Sequence, residues 1–168
     1  SSYYRDDKKV NGLTLGSYWG YFRDRQVKRN TDYPYDDYKC HLVLGVLYKQ
    51  GVEDGKDMEV YSIDTLADIK SVIEHFIFFV QPKWKIASDQ PGSGNTRNIG
   101  GVVDVDKLVN GEGTFAKYGE EVFDDYWMNY YNAADAQKAG MGKQHYHNLK
   151  TYIEYLEKMS KRLTELKK

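Results

Sequence analysis

Three features of this sequence predict an α+β fold: a mostly antiparallel sheet with a central helix and two C-terminal helices packed on one side. Apolar side chains alternate with a two-residue period in several early segments. They recur every three to four residues in the middle and again toward the C-terminus. Turn-forming glycine, proline, asparagine and aspartate cluster between these segments.

The elements follow in order. Residues 1–11 are polar and read as a flexible tail. GLTLGSYWGYF, 12–22, alternates as a strand, with Tyr18 and Phe22 opposite Trp19 and Tyr21. HLVLGVLYK, 41–49, is apolar on both faces, as a central strand would be. Asp54-Gly55 is a hairpin signal, so DMEVYSI, 57–63, is the expected returning strand. Leu66, Ile69, Ile73, Phe76, Ile77 and Val80 then give the central helix its spacing over 62–80, with Ser62 or Asp64 at its start and Pro82 beyond its end. KWKIAS, 83–88, reads as a strand with its lysines outward, and GVVDV, 101–105, as its partner. Val122, Tyr126, Tyr130 and Ala134 mark one helix from Thr114 to about Ala139. Leu149, Tyr152, Ile153, Leu156, Met159, Leu163 and Leu166 mark a second over 148–168.

The chain has 168 residues and is 40% hydrophobic, enough for one domain with a real core. No linker composition divides it, so 1–168 is expected to be a single domain. The longest apolar stretch, IEHFIFFV, is too short to span a bilayer. The lone Cys40 excludes an internal disulfide and CxxC metal or redox motifs, and its apolar surroundings predict a buried thiol. Tyrosine is abundant, at 16 residues, which suits either a tyrosine-rich core or a half-wet contact face.

Net charge is −1, against a generally basic nucleic-acid binder. The distribution is uneven, however: residues 1–30 carry +4, 138–168 carry +5 and the middle carries −10. A positive face forms if the two ends meet.

Four constellations could carry chemistry. The first is ASDQPGSGNTRNIGG, 87–101. It lacks the Lys-Ser/Thr of a Walker loop and the third in-register glycine of a dinucleotide fingerprint. Its remaining functional reading is a flap with Arg97 as an anion-binding tip. The second is acidic. Asp89 and Asp104 at neighbouring strand ends, with Asp106, could hold Mg²⁺, and Lys107 could stabilise charge in phosphodiester cleavage. The spacing departs from the acid-x-Lys arrangement of many metal-dependent nucleases, because Asp106 adjoins Lys107. The third is His145-Tyr146-His147, a metal-ligating pattern on a strand but not at a helix start, where i and i+2 diverge. The fourth joins Tyr18 and Phe22 to Arg23, Arg25, Lys28 and Arg29, aromatic platforms beside phosphate-binding cations.

The sequence alone therefore favours a non-enzymatic binding module for single-stranded or accessible nucleic acid, using the aromatic and basic strand with the Gly-rich flap and needing no cofactor. The alternatives are a Mg²⁺-dependent nuclease or phosphodiesterase with Asp104, Asp106 and Lys107 catalytic and Asp89 and Asp104 on the metal, or a protein that associates with itself or a partner through 148–168. The compartment is not legible.

Overall fold

A computed structural model describes residues 4–5, 8–9, 14–15, 38–50, 60–69, 71, 73–92 and 98–166. The α+β class holds, with short strand pairs and helices that gather toward the C-terminus. The expected 12–22 strand is described only at Thr14 and Leu15, and the Asp54-Gly55 turn lies outside the described residues. Near the start, β1 (Tyr4–Arg5) and β2 (Lys8–Lys9) pair antiparallel.

The chain forms two compact units, residues 44–80 and residues 1–43 with 81–168. The smaller unit is built on β3 (Leu42–Gln50) and β4 (Ile73–Pro82), which form a two-stranded sheet. β3 forms where the sequence predicts a strand, but not as the central strand expected: in this two-stranded sheet Leu44, Val46 and Tyr48 are exposed, while Gly45 and Leu47 are sheltered. Gly45 lies against the Phe79 ring so closely that a Cβ would collide with it. The central helix expected over 62–80 is not formed. Ser62 instead begins a 3-10 turn, Ile63–Asp68, in which the Ser62 N–H donates to Thr65 Oγ1 at 3.0 Å. The chain then extends as β4. The physical reason is composition: IEHFIFFV is rich in β-branched and aromatic side chains, which fit a pleated surface better than a helix. Among the described residues β4 is the strand that pairs with β3, and residues 57–59 of the expected returning strand lie outside them.

The larger unit resumes at Gln81. Lys83–Ile86 make a single helical turn, α1, where a strand was expected, and Lys83 points inward at 5% exposure. β5 (Ala87–Pro91) and β6 (Ile99–Gly101) pair antiparallel, with Ala87 opposite Gly101 and Pro91 opposite Ile99. The expected 101–105 strand stops at Gly101. Asp104 caps α2 (Val105–Asn110) by accepting the Lys107 N–H at 3.0 Å, and Gly111, at φ 70°, ends it in the left-handed region.

The long helix expected over 114–139 is two helices. α3 (Glu120–Met128) has Glu120 and Glu121 in its first turn, where carboxylates suit the helix dipole. α4 (Ala133–Lys138) starts afresh because Asn132 Oδ1 accepts the Asp135 N–H at 2.8 Å. α5 (Leu149–Leu166) is the amphipathic helix the sequence predicts. Asn148 Oδ1 accepts the Thr151 N–H at 2.8 Å and so caps its start.

The core of this unit is aromatic. Tyr126 sits fully buried, with the rings of Phe115, Trp127, Tyr130, Tyr146 and Tyr152 at 5.0–5.6 Å. Offset and edge-on rings of this kind attract beyond their area burial. The hydroxyls are placed too: Tyr126 OH donates to the Asp89 carbonyl at 2.7 Å, Tyr146 OH to the Tyr126 carbonyl at 2.7 Å, and Tyr152 OH to Asp125 Oδ2. At these four tyrosines the excess serves the core and not a contact face. Further along α5 the apolar stripe continues outside the core, with Leu156, Met159 and Leu163 exposed.

Candidate functional site at the β5–β6 hairpin

The Gly-rich stretch connects β5 to β6, as the sequence predicts, and both of its roots are held. The Gly92 N–H donates to the Asn98 carbonyl at 2.8 Å, closing the hairpin below residues 93–97. Thr14 bridges Gly100, its hydroxyl donates to the Gly92 carbonyl at 3.1 Å, and the Leu15 N–H donates to the Ile99 carbonyl at 2.9 Å. Gly100 must be glycine here, because a Cβ would strike the Gln90 carbonyl oxygen.

The other flank of the hairpin is tied to the C-terminal helix. Asp89 Oδ2 accepts the Leu149 N–H, the first of α5, at 2.9 Å. Gln90 Nε2 donates to the His147 carbonyl at 3.0 Å and lies 3.4 Å from Asp89 Oδ1. Tyr126 of α3 donates to the Asp89 carbonyl. Asp89 thus joins three elements: β5 by its backbone, α3 through its carbonyl and α5 through its carboxylate.

That placement bears on the acidic constellation. Asp89 is half-buried and bonded to a helix amide; Asp104 is exposed and caps α2; Asp106 and Lys107 are exposed in the first turn of α2. Among the described residues no three His, Cys, Asp or Glu side chains are grouped to hold a metal ion. His145 and His147 are not on a strand: both precede α5, and the His145 ring stacks on Tyr155 at 5.0 Å. Cys40 is exposed, against the buried thiol expected. Tyr18, Phe22, Arg23, Arg25, Lys28, Arg29 and Arg97 lie outside the described residues.

A buried polar cluster underlies α1. Burial drives the Lys83 ammonium down to about 8, against the pull of Asp124. His41, whose carbonyl accepts the Lys83 N–H at 2.8 Å, is also held below its usual value, first by burial and then by the Lys83 charge. Burial likewise raises the phenols of Tyr126 and Tyr130. Sequence reasoning missed the inward Lys83 and the Asp89–α5 tie. The first had no local signal, and the second joins residues 60 positions apart.

Comparison with known proteins now locates the chain. Residues 1–157 match the family described as restriction endonuclease EcoRV. The chain is 35% identical over 127 residues to the type II restriction enzyme EcoRV of Escherichia coli. The alignment covers 75% of this chain and 50% of that relative, so the chain spans about half the relative's length. Kinship with an endonuclease overturns the non-enzymatic binding reading that the sequence favoured. Net charge and loose motif spacing misled there, because the family signal lies in similarity spread over residues 1–157 and not in a short local pattern. The chain belongs to the EcoRV restriction endonuclease family.

Proposed function

We propose that the protein carrying this chain is an endonuclease that hydrolyses phosphodiester bonds in duplex DNA with the help of Mg²⁺. The observation that carries this reading is the family match over residues 1–157. We assign the chain a DNA-facing surface made of the Gly-rich connection with Arg97 and the segment bearing Tyr18, Phe22, Arg23, Arg25, Lys28 and Arg29. Guanidinium and ammonium groups there would neutralise phosphates, and glycines at the hairpin would let backbone approach the duplex closely.

Mg²⁺ would serve such a reaction by polarising the phosphate and stabilising charge as water adds to phosphorus. Asp89, Asp104 and Asp106 do not fit as its ligands, since two of them are committed to helix ends and no described cluster forms. The exposed Leu156, Met159 and Leu163 support self-association through 148–168; light scattering tests it, and a constant monomer mass refutes it.

The test of the main reading is incubation with supercoiled plasmid, with Mg²⁺ or with EDTA. Discrete cut products that need Mg²⁺ are expected; intact plasmid under every metal condition sinks the reading. For the surface, Arg97→Ala should weaken duplex binding and lower the salt slope by about 1. An unchanged slope and affinity would remove Arg97 from it.

A further inference from the structure

We propose that one face of the β3–β4 sheet is a docking surface, and that it receives the part of the enzyme corresponding to the half of the Escherichia coli relative outside the alignment. This role extends beyond the cleavage reading and does not depend on it.

The face is built from six side chains: Leu44, Val46 and Tyr48 of β3 with Phe76, Phe78 and Val80 of β4. Alternation along each strand puts them on one side. Rings join the two strands there, since Tyr48 lies 6.2 Å from Phe76, and Phe76 stacks on Phe78 at 5.9 Å. On the other side Phe79 is buried against Gly45. All six side chains are 44–69% exposed, and none carries a charge.

Those exposures amount to roughly 700 Å² of surface, close to the ~800 Å² that each partner gives to a standard interface. The largest apolar patch on a typical monomer is smaller, about 300–600 Å². Among the described residues no third strand joins β3 and β4. A two-stranded sheet is marginal in water until a further strand or a helix packs on it. The length of the relative names the occupant. The 127 aligned residues are 50% of that protein, so about as much chain again lies outside the alignment. A longer chain buries a larger fraction of its surface, and an uncharged face is where the added chain gains most. The docked layer is therefore a strand or helix that presents aliphatic and aromatic side chains and sets no charge opposite the six.

The experiment co-expresses chain 1–168 with a tagged polypeptide made of the relative's residues outside the alignment. A stoichiometric complex should co-purify, with amide exchange slowed at 44–48 and 76–80. Phe78→Lys and Val46→Lys should each weaken the complex about tenfold or more, because the ammonium would lose its water on docking. Both should leave the thermal midpoint of the isolated chain near wild type, as exposed substitutions do. Val60→Lys, at an exposed apolar residue outside the face, should change neither property. The proposal is overturned if no complex co-purifies, if the two lysine variants bind as wild type does, or if the slowed amides lie elsewhere. A midpoint that collapses in Phe78→Lys or Val46→Lys overturns it too, since the face would then already be covered within 1–168. So does a chain that dimerises through this face in light scattering and does not exchange its partner for the added polypeptide, which would make a second copy the occupant. Plasmid cleavage is not measured, so each of these outcomes leaves the duplex-cleaving reading as it stands.

Discussion

Replacing Lys83 by Met should flatten the alkaline side of this protein's stability curve. Lys83 is 5% exposed, and burial lowers its ammonium from 10.5 to about 8. That drop corresponds to about 3 kcal/mol against the charged form in the folded state. The sign follows from proton counting. Below pH 8 both states hold the proton and the folded state bears the full penalty. Between about 8 and 10.5 the unfolded chain keeps the proton while the folded chain releases it, so stability climbs with pH. From pH 7 to 9.5 the wild-type protein should gain about 2 kcal/mol from this group, and Lys83→Met none of it. The absolute gain of the variant at pH 7 should fall short of about 3 kcal/mol, because Asp124 loses an attractive neighbour. The slope is thus the cleaner readout. Urea unfolding followed by tryptophan fluorescence at pH 7, 8, 9 and 9.5 measures it. Measurements stop below pH 10, where the raised phenols of Tyr126 and Tyr152 act in the opposite sense: the unfolded chain ionises first and stability falls. Parallel curves for the two proteins from pH 7 to 9.5 would refute a buried, depressed Lys83.

Three other outcomes are expected. Tyr126→Phe should cost about 1 kcal/mol in thermal or urea unfolding, because the Asp89 carbonyl loses its phenolic donor while the ring packing stays; an unchanged stability would remove that bond from the account. Asp104→Ala should cost about 1 kcal/mol through loss of the α2 cap and leave plasmid cleavage near wild type. A hundredfold drop in cleavage at unchanged stability would instead return Asp104 to the metal site. Gly45→Ala should destabilise the chain by about 1–3 kcal/mol, because the new methyl group meets the Phe79 ring; a variant as stable as wild type would show that the ring can move aside cheaply.

What was legible in the sequence depended on how local its cause is. β3 was legible as a strand because a short β-branched and apolar run needs only its own residues, but the exposure of one of its faces was not, since that depends on what packs against it. α5 was legible for the same reason at helical spacing. β4 was misread because Leu66, Ile69, Ile73, Phe76 and Val80 satisfy a helical period by coincidence, while the β-branched and aromatic content of IEHFIFFV carried the stronger preference. The division between α3 and α4 had a local sign that was passed over. Asn129 and Asn132 stand where one helix stops and the next is capped, and Asn132 does cap α4. Asp104 and Gly111 likewise bracket α2 as a cap and a left-handed stop. Read that way, VVDVDKLVNG is a short helix, and the supposed metal-bearing strand end disappears.

The acidic site shows why neighbours in sequence were a poor guide to chemistry here. A carboxylate's role is set by which donors reach it. Asp104 has a donor three residues away, so its cap could be inferred from the chain alone. Asp89 has a donor 60 residues away, which no local pattern contains. Both carboxylates accept main-chain N–H groups at 2.9–3.0 Å, a use that needs no cation and no third acid. A Mg²⁺ ligand must instead bring at least one oxygen to a point shared with other ligands. The two acids are drawn toward separate helices, α2 and α5, and each serves there as a helix cap.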